Sequence, residues 1–150
     1  MLLAGMTPKD IDVQIINDYV TEVTPDIPCD LVGITTTIST SYRAYQLAEQ
    51  FRARGKKVVL GGFHASIMPE EAARHCDAVV IGEAEETWPE LIDDFRHGTL
   101  KPVYKSESPP ELDSLPVPRY DLAQPEKLTG WRLSPWKRPE VVPWTAITAA

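Results

Sequence analysis

Between Asp30 and Gly98, short unbroken apolar runs alternate with stretches of helical period, and this alternation restricts the fold more than any other feature. "DLVGIT" (30–35), "KKVVLG" (56–61) and "DAVVIG" (77–82) carry no polar residues at alternate positions, as expected of strands covered on both faces. "DVQIIN" (12–17) reads as a further strand. Between the runs, "TSYRAYQLAEQFRARG" sets Ala44, Leu47, Ala48 and Phe51 on one helix face, with Ser39 or Thr40 as cap and Gly55 as stop. "PEEAARH" (69–75) opens with proline and acids, which suits a first helical turn. "EETWPELIDDFRHG" repeats the spacing at Trp88, Leu91, Ile92 and Phe95 and ends at Gly98. Strand and helix in alternation predict an α/β fold: an open parallel sheet flanked by helices. Right-handed crossovers bring the strands' carboxyl ends to one edge, where such sheets bind ligands.

Proline divides the chain. Of 14 prolines, nine fall in residues 98–150, together with Trp131, Trp136 and Trp144. Residues 1–97 are therefore expected to form the packed domain, and 98–150 an irregular Pro-rich C-terminal extension or linker. The net charge of −7 arises from the first part, which holds 8 basic and 16 acidic residues. With no basic stripe in either part, nucleic acid is not an expected partner. No apolar run is long enough to span a bilayer, and the start lacks the charge and length pattern of a signal peptide. Cys29 and Cys76 are far apart in sequence, which suits a reducing compartment such as the cytoplasm and supplies no metal-cluster ligands.

Three loops belong to the carboxyl edge: "TTTISTS" (35–41), "GGFHAS" (61–66) and "GEAEET" (82–87). Gly61 and Gly62 lack a Cβ, so a bulky ligand can approach the backbone. The first loop offers hydroxyls and the free amides of a helix start. Each loop taken singly has a structural explanation, because such turns use Gly, Ser and Thr for capping and acids for the helix dipole. Their coincidence on one edge is what points to a site. There is no G-x-S-x-G, H-E-x-x-H or P-loop motif, and no catalytic residue or metal ligand is assigned.

Together, "DLVGITTTIST", "KKVVLGGFHASIMPEEAARHCDAVVIGEAEETWPELI" and "LDSLPVPRYDL" resemble the cobalamin-binding N-terminal domains of radical S-adenosylmethionine enzymes. The resemblance implies a flavodoxin-like (Rossmann-like) fold with the corrin on the carboxyl edge of the sheet. It places Thr36, Thr37, Ser39 and Thr40 at the nucleotide tail, with Gly61, Gly62, His64, Ala65 and Ser66 bordering the corrin. Gly82, Glu83 and Glu85 would close the third side. On this reading Gly62→Val should block the corrin and leave the fold largely intact, while His64 and Ser66 bind the macrocycle's polar rim.

Three departures qualify what the resemblance implies. No D-x-H-x-x-G is present, so histidine ligation of cobalt is not supported. The CxxxCxxC motif is also missing, so the 4Fe-4S cluster and S-adenosylmethionine would belong to a C-terminal radical domain outside this chain. "LLAGMTP" looks like the end of a helix, which would make the family's first, central strand and its loop absent. The expectation is a marginal sheet unless a neighbour or a rearranged sheet replaces that strand, and cobalamin binding by this chain that is weak or absent. The expected function is a cobalamin-binding module of a radical enzyme for methyl transfer or other radical chemistry, with cobalamin and the radical domain as partners. The alternative is a non-catalytic α/β scaffold or interaction domain.

Overall fold

The computed structural model describes residues 1–19, 21–108, 110–123 and 145–148. In chain order the elements are α1 (Leu2–Met6), β1 (Val13–Ile16), β2 (Leu31–Thr35), a 3-10 turn (Ile38–Thr40) and α2 (Ser41–Ala53). They continue with β3 (Lys57–Gly61), α3 (Phe63–Ile67), α4 (Pro69–Ala72), β4 (Ala78–Ile81), α5 (Trp88–His97), β5 (Val103–Lys105) and β6 (Thr145–Thr148). The four strands expected from the apolar runs are all present. Two more come from beyond residue 97, so the sheet continues past Gly98.

The sheet order is β1-β6-β2-β3-β4-β5. β2, β3, β4 and β5 are paired in parallel, with Leu31 opposite Lys57 and Thr35 opposite Gly61. β6 lies between β1 and β2 and is antiparallel to both, so β1 runs in the same direction as the other four. The central position expected to lack its strand is thus filled from the far end of the chain, in reversed sense. Ala146 faces Ile15 on one side and Gly33 on the other.

Alternation along the strands divides the core into two layers. Val32, Ile34, Val58, Leu60 and Val79 pack under α2, α3 and α4, together with Ala44, Leu47, Ala48 and Phe51. Leu31, Val59, Ala78 and Val80 face the other way, against Trp88, Leu91 and Ile92 of α5 and the half-buried Leu3 and Met6 of α1. This explains the absence of polar alternation in the strands, since neither face meets water. The Phe51, Leu47 and Leu91 side chains are fully buried, each contributing roughly 1.5–3 kcal/mol. Trp88 Nε1 donates to Thr7 Oγ1 at 2.9 Å, and Thr7 Oγ1 donates to Leu3 O at 2.7 Å, which ties α5 to α1.

β5 is only three residues long, too short to show a period. It is anchored by buried Tyr104, whose hydroxyl donates to Asp94 Oδ2 at 2.8 Å and accepts from Lys101 N at 2.9 Å. Farther on, a Cβ at Gly5 would lie 2.9 Å from Val117 O, so part of the linker rests directly on α1. Among the described residues no helix is long and apolar enough to cross a membrane. Trp131, Trp136 and Trp144, which marked the linker in sequence, lie outside the described residues.

Because, among the described residues, β1 meets the rest of the sheet only through β6, the strand pairing around Ala146 should be a stability determinant. Ala146→Pro removes a backbone donor from a strand paired on both sides. It should lower the unfolding free energy by about 1 kcal/mol or more, read by urea denaturation. An unchanged midpoint would count against β6 as an internal strand.

Candidate functional site

The three loops meet at the carboxyl edge, as expected, and one side chain does most of the joining. Thr36 is fully buried directly after β2. Its N–H and its hydroxyl both donate to Gly61 O, each at 2.8 Å. The same hydroxyl accepts from Ala65 N at 3.2 Å, and Thr36 O accepts from His64 N at 3.1 Å. Thr36 therefore serves the contact between the first two loops and offers no free group outward. Ser66 performs the next join: its hydroxyl donates to Gly62 O at 3.0 Å and accepts from Gly82 N at 2.9 Å. First, second and third loops are thereby linked by two hydroxyls.

The two glycines have different reasons. Gly62 has φ +87°, and a Cβ there would lie 2.8 Å from Thr36 O and 2.9 Å from Thr35 Cγ2. Its glycine is required by the first loop's backbone, and the expectation that valine at this position would spare the fold is corrected. Gly61 has ordinary space: a Cβ would rest 3.6 Å from Val80 Cβ. The room it leaves opens into a narrow slot of about 60 Å³ on the α1/α5 face, lined also by Gly33, Val59, Val80 and Trp88. Gly82 takes φ +79° with nothing near a Cβ, so its glycine answers to backbone conformation alone.

His64 does not lie on the rim. It is 8% exposed, with Nε2 2.9 Å from Tyr45 Oη and 3.3 Å from Glu71 Oε1. α3 begins directly after Gly62, and this turns the His64 ring toward α2 and α4. The expectation of a histidine bound to the macrocycle's edge is corrected accordingly. Ala65 is likewise fully buried in the α2-side core. Burial first, and then the bond to Glu71, push the Tyr45 phenol up to about 12. Glu71 is held below the usual carboxylate range by its bonds to Tyr45 and His64.

Thr37, Ser39 and Thr40 remain at the surface of the first loop, bonded mainly to one another. Thr37 Oγ1 is 3.1 Å from Ser39 Oγ and 3.0 Å from Thr40 Oγ1, and Thr37 N donates to Thr40 Oγ1 at 3.0 Å. Ser39 and Thr40 line a cavity of about 180 Å³ on the α2 side, with Tyr19, Ile34 and the Arg43–Asp18 pair. Arg43 grips Asp18 with two bonds of 2.8 and 3.0 Å. Glu83 is exposed and Glu85 half-buried; neither has a hydrogen-bonded side-chain partner among the described residues. Glu86 instead accepts from Ser106 and Ser108 at 2.6 and 3.1 Å, bracing the chain after β5.

Sequence reasoning missed Gly33, Trp88, Asp18 and Arg43 as site-lining residues. A glycine inside an apolar strand was the available signal for Gly33. It also missed the rim. Ile38 and Tyr42 of the first loop region, and Phe63, Ile67 and Met68 of the second, are 45% to 75% exposed. These large apolar groups belong to segments that follow the adjacent strands β2 and β3. Among the described residues no cluster of three or more His, Cys, Asp or Glu side chains is arranged to hold a metal ion.

An open α/β sheet with a glycine slot and three hydroxyl-linked loops at its carboxyl edge defines a ligand-binding domain of the doubly wound class. The model of the B12 binding domain matches residues 2–92, and the chain belongs to that family. It is similar to bacteriochlorophyllide d C-8(2)-methyltransferase of Chlorobaculum tepidum, 38% identical over 85% of this chain and 29% of that protein. The C-12(1)-methyltransferase of the same organism is 30% identical over 82% of this chain and 27% of its own length. An uncharacterized methyltransferase of Pyrococcus horikoshii is 36% identical over 83% of this chain and 33% of its own. The chain thus spans about a third or less of the curated relatives it matches. No solved structure matches.

The Arg43–Asp18 pair makes a pH test of the α2-side cavity wall. Arg43 holds the Asp18 carboxyl below its ordinary 3.8, so its stabilising contribution is complete above that value. The contribution is lost as pH falls through the lower, folded value. Asp18→Asn should therefore reduce stability at neutral pH and flatten the acid limb of the stability profile below about pH 4. Thermal melts between pH 2 and pH 7 would check it; parallel profiles for both proteins would refute it.

Proposed function

We propose that this chain is the cobalamin-binding module of a B12-dependent radical S-adenosylmethionine methyltransferase. The observation that carries the reading is the edge itself: a glycine slot whose space a Cβ at Gly61 would reduce, beside five exposed apolar side chains on braced loops. A large flat macrocycle matches that combination, because it needs backbone approach and broad apolar contact more than many polar partners. Ile38, Phe63 and the Gly61–Gly62 backbone would meet the macrocycle. Ser39 and Thr40, with the cavity they line, would take the polar nucleotide tail. Gly82, Glu83 and Glu85 would border the third side.

Membership of the B12 binding family and relatives named as methyltransferases support methyl transfer as the reaction class. When bound, cobalamin supplies a cobalt centre able to carry the methyl group. The residues of this chain bind and orient it and exclude water from its covered face. The radical chemistry, with the 4Fe-4S cluster and S-adenosylmethionine, is assigned to a further domain of the full-length enzyme, since no CxxxCxxC occurs here.

A second reading, a scaffold that holds no cofactor, is favoured by one observation: Thr36, His64 and Ala65 are all engaged inside the fold. Titration with hydroxocobalamin, followed by absorbance and gel filtration, separates the two. Binding should be retained in the parent and weakened by Gly61→Val, which fills the slot with an ordinary backbone conformation. Gly62→Val should lower the melting temperature as well, because its Cβ meets Thr36. A parent that elutes free of cobalamin would support the scaffold reading.

A further inference from the structure

The polar group formed by buried Tyr45 and His64 with half-exposed Glu71 is not accounted for by the site described above. Its three polar atoms close a triangle. Tyr45 Oη is 3.1 Å from Glu71 Oε1, His64 Nε2 is 2.9 Å from Tyr45 Oη, and His64 Nε2 is 3.3 Å from Glu71 Oε1. Proton accounting fixes the donors. Glu71 is ionised and can only accept, so the single Tyr45 hydroxyl proton goes to it. Tyr45 Oη must then accept from His64, which places a proton on Nε2. Tyr45 itself is held from its other side. Its ring stacks on His75 with centroids 4.1 Å apart and planes 11° apart, and His75 Nδ1 is 2.8 Å from Glu49 Oε1.

We propose that Tyr45 and Glu71 are positioning residues: through His64 they set the α3 turn, and through Ser66 they set the third loop against it. This rests on the reading of the carboxyl edge as the cobalamin site. α3 has five residues and no side-chain cap, so it does not hold its own position. Its backbone is tethered on one side to Thr36, through His64 N and Ala65 N. The His64 ring supplies the opposite tether, to α2 and α4. Two residues farther along the same turn, Ser66 carries the bond that holds Gly82. A displacement of the His64 ring is therefore transmitted along one short rigid turn to the contact between second and third loops. An apolar side chain at position 64 would fill the space without fixing the turn's rotation. The Tyr45 hydroxyl bond to Glu71 and the single His64 Nε2–H, directed at Tyr45 Oη with Glu71 Oε1 close by, fix it.

The test uses Tyr45→Phe and Glu71→Gln in the chain as it stands. The first removes the central hydroxyl; the second alters a half-exposed side chain and serves should the first fail to fold. Backbone amide exchange at Gly82 should accelerate by roughly fivefold, the factor that one hydrogen bond is worth. Exchange at Leu91 and Ile92 in α5 should stay at the parent rate. The 15N spectrum of His64 should show the Nε2–H tautomer in the parent and a mixture in Glu71→Gln. Hydroxocobalamin affinity should fall by a similar roughly fivefold factor, with little change in melting temperature. Unchanged Gly82 exchange in the variants would overturn the proposal. So would acceleration spread evenly over the whole chain, which marks plain core loss. A parent that takes up no cobalamin would defeat the functional reading alone, since the exchange and tautomer measurements need no ligand.

Discussion

The contact between Thr36 and the Gly61–Ala65 backbone is the interaction on which the rest of the edge depends. Parallel pairing of β2 with β3 ends at Thr35 and Gly61, and beyond that point no ladder holds the two chains together. Thr36 continues the join with a side chain, placing a buried hydroxyl between Gly61 O and Ala65 N. Both its donor and its acceptor capacity are used, so burying it leaves no polar group unpaired. Gly62 is the necessary counterpart. Only a residue without a Cβ can lie 2.8 Å, measured from where that atom would be, from Thr36 O. Loop order at this edge is thus a property of backbone proximity, and threonine and glycine are the residue types that permit it.

The same constraint explains where the remaining side chains go. With the second loop drawn against the first, α3 must start at once, and its inward face meets the α2-side core. Ala65 and His64 fall on that face; Phe63 and Ile67 fall on the other and stay exposed. His64 and Ser66 are thereby directed to hold the loops, while the large apolar Phe63 and Ile67 face outward. The inward polar groups of the second loop are partnered: buried His64 by Tyr45 and Glu71, half-buried Ser66 by Gly62 and Gly82. Asn17 at the end of β1 is the exception, with a buried Nδ2 that has no partner among the described residues.

The sheet and its helices were legible in the sequence because their signal is periodic. β2, β3 and β4 appear as continuous apolar runs, and Leu47, Phe51, Leu91 and Ile92 mark the helix faces. β5 was not legible, since three residues held by one tyrosine carry no period. β6 was not legible either: its place beside β1 and β2 is a long-range pairing that no local pattern encodes. In the site, the residue types were readable and their directions were not. "GGFHAS" announces a tight turn, but only the packing of α3 decides that His64 faces Tyr45. Gly33 carried a readable hint, a glycine within an apolar strand, whose meaning appears once Gly61 is seen lining the same slot.

On the proposed reading, a chain arranged in this way would recognise by shape before polar contact. The hydroxyls of Thr36 and Ser66 are committed to the loops, and those of Thr37, Ser39 and Thr40 are bonded mainly to each other. What faces outward over the middle of the edge is backbone, glycine and the apolar rim. A small polar ligand would find few unpaired groups there and would have to break bonds within the loops to gain any. A broad planar ligand loses nothing by this arrangement, because dispersion and apolar burial scale with the area it covers. Holding the loops rigid beforehand then reduces the ordering that binding would otherwise require. The internal hydrogen bonds that remove His64 and Thr36 from direct contact are, in this light, compatible with a ligand edge and give it a preorganised surface.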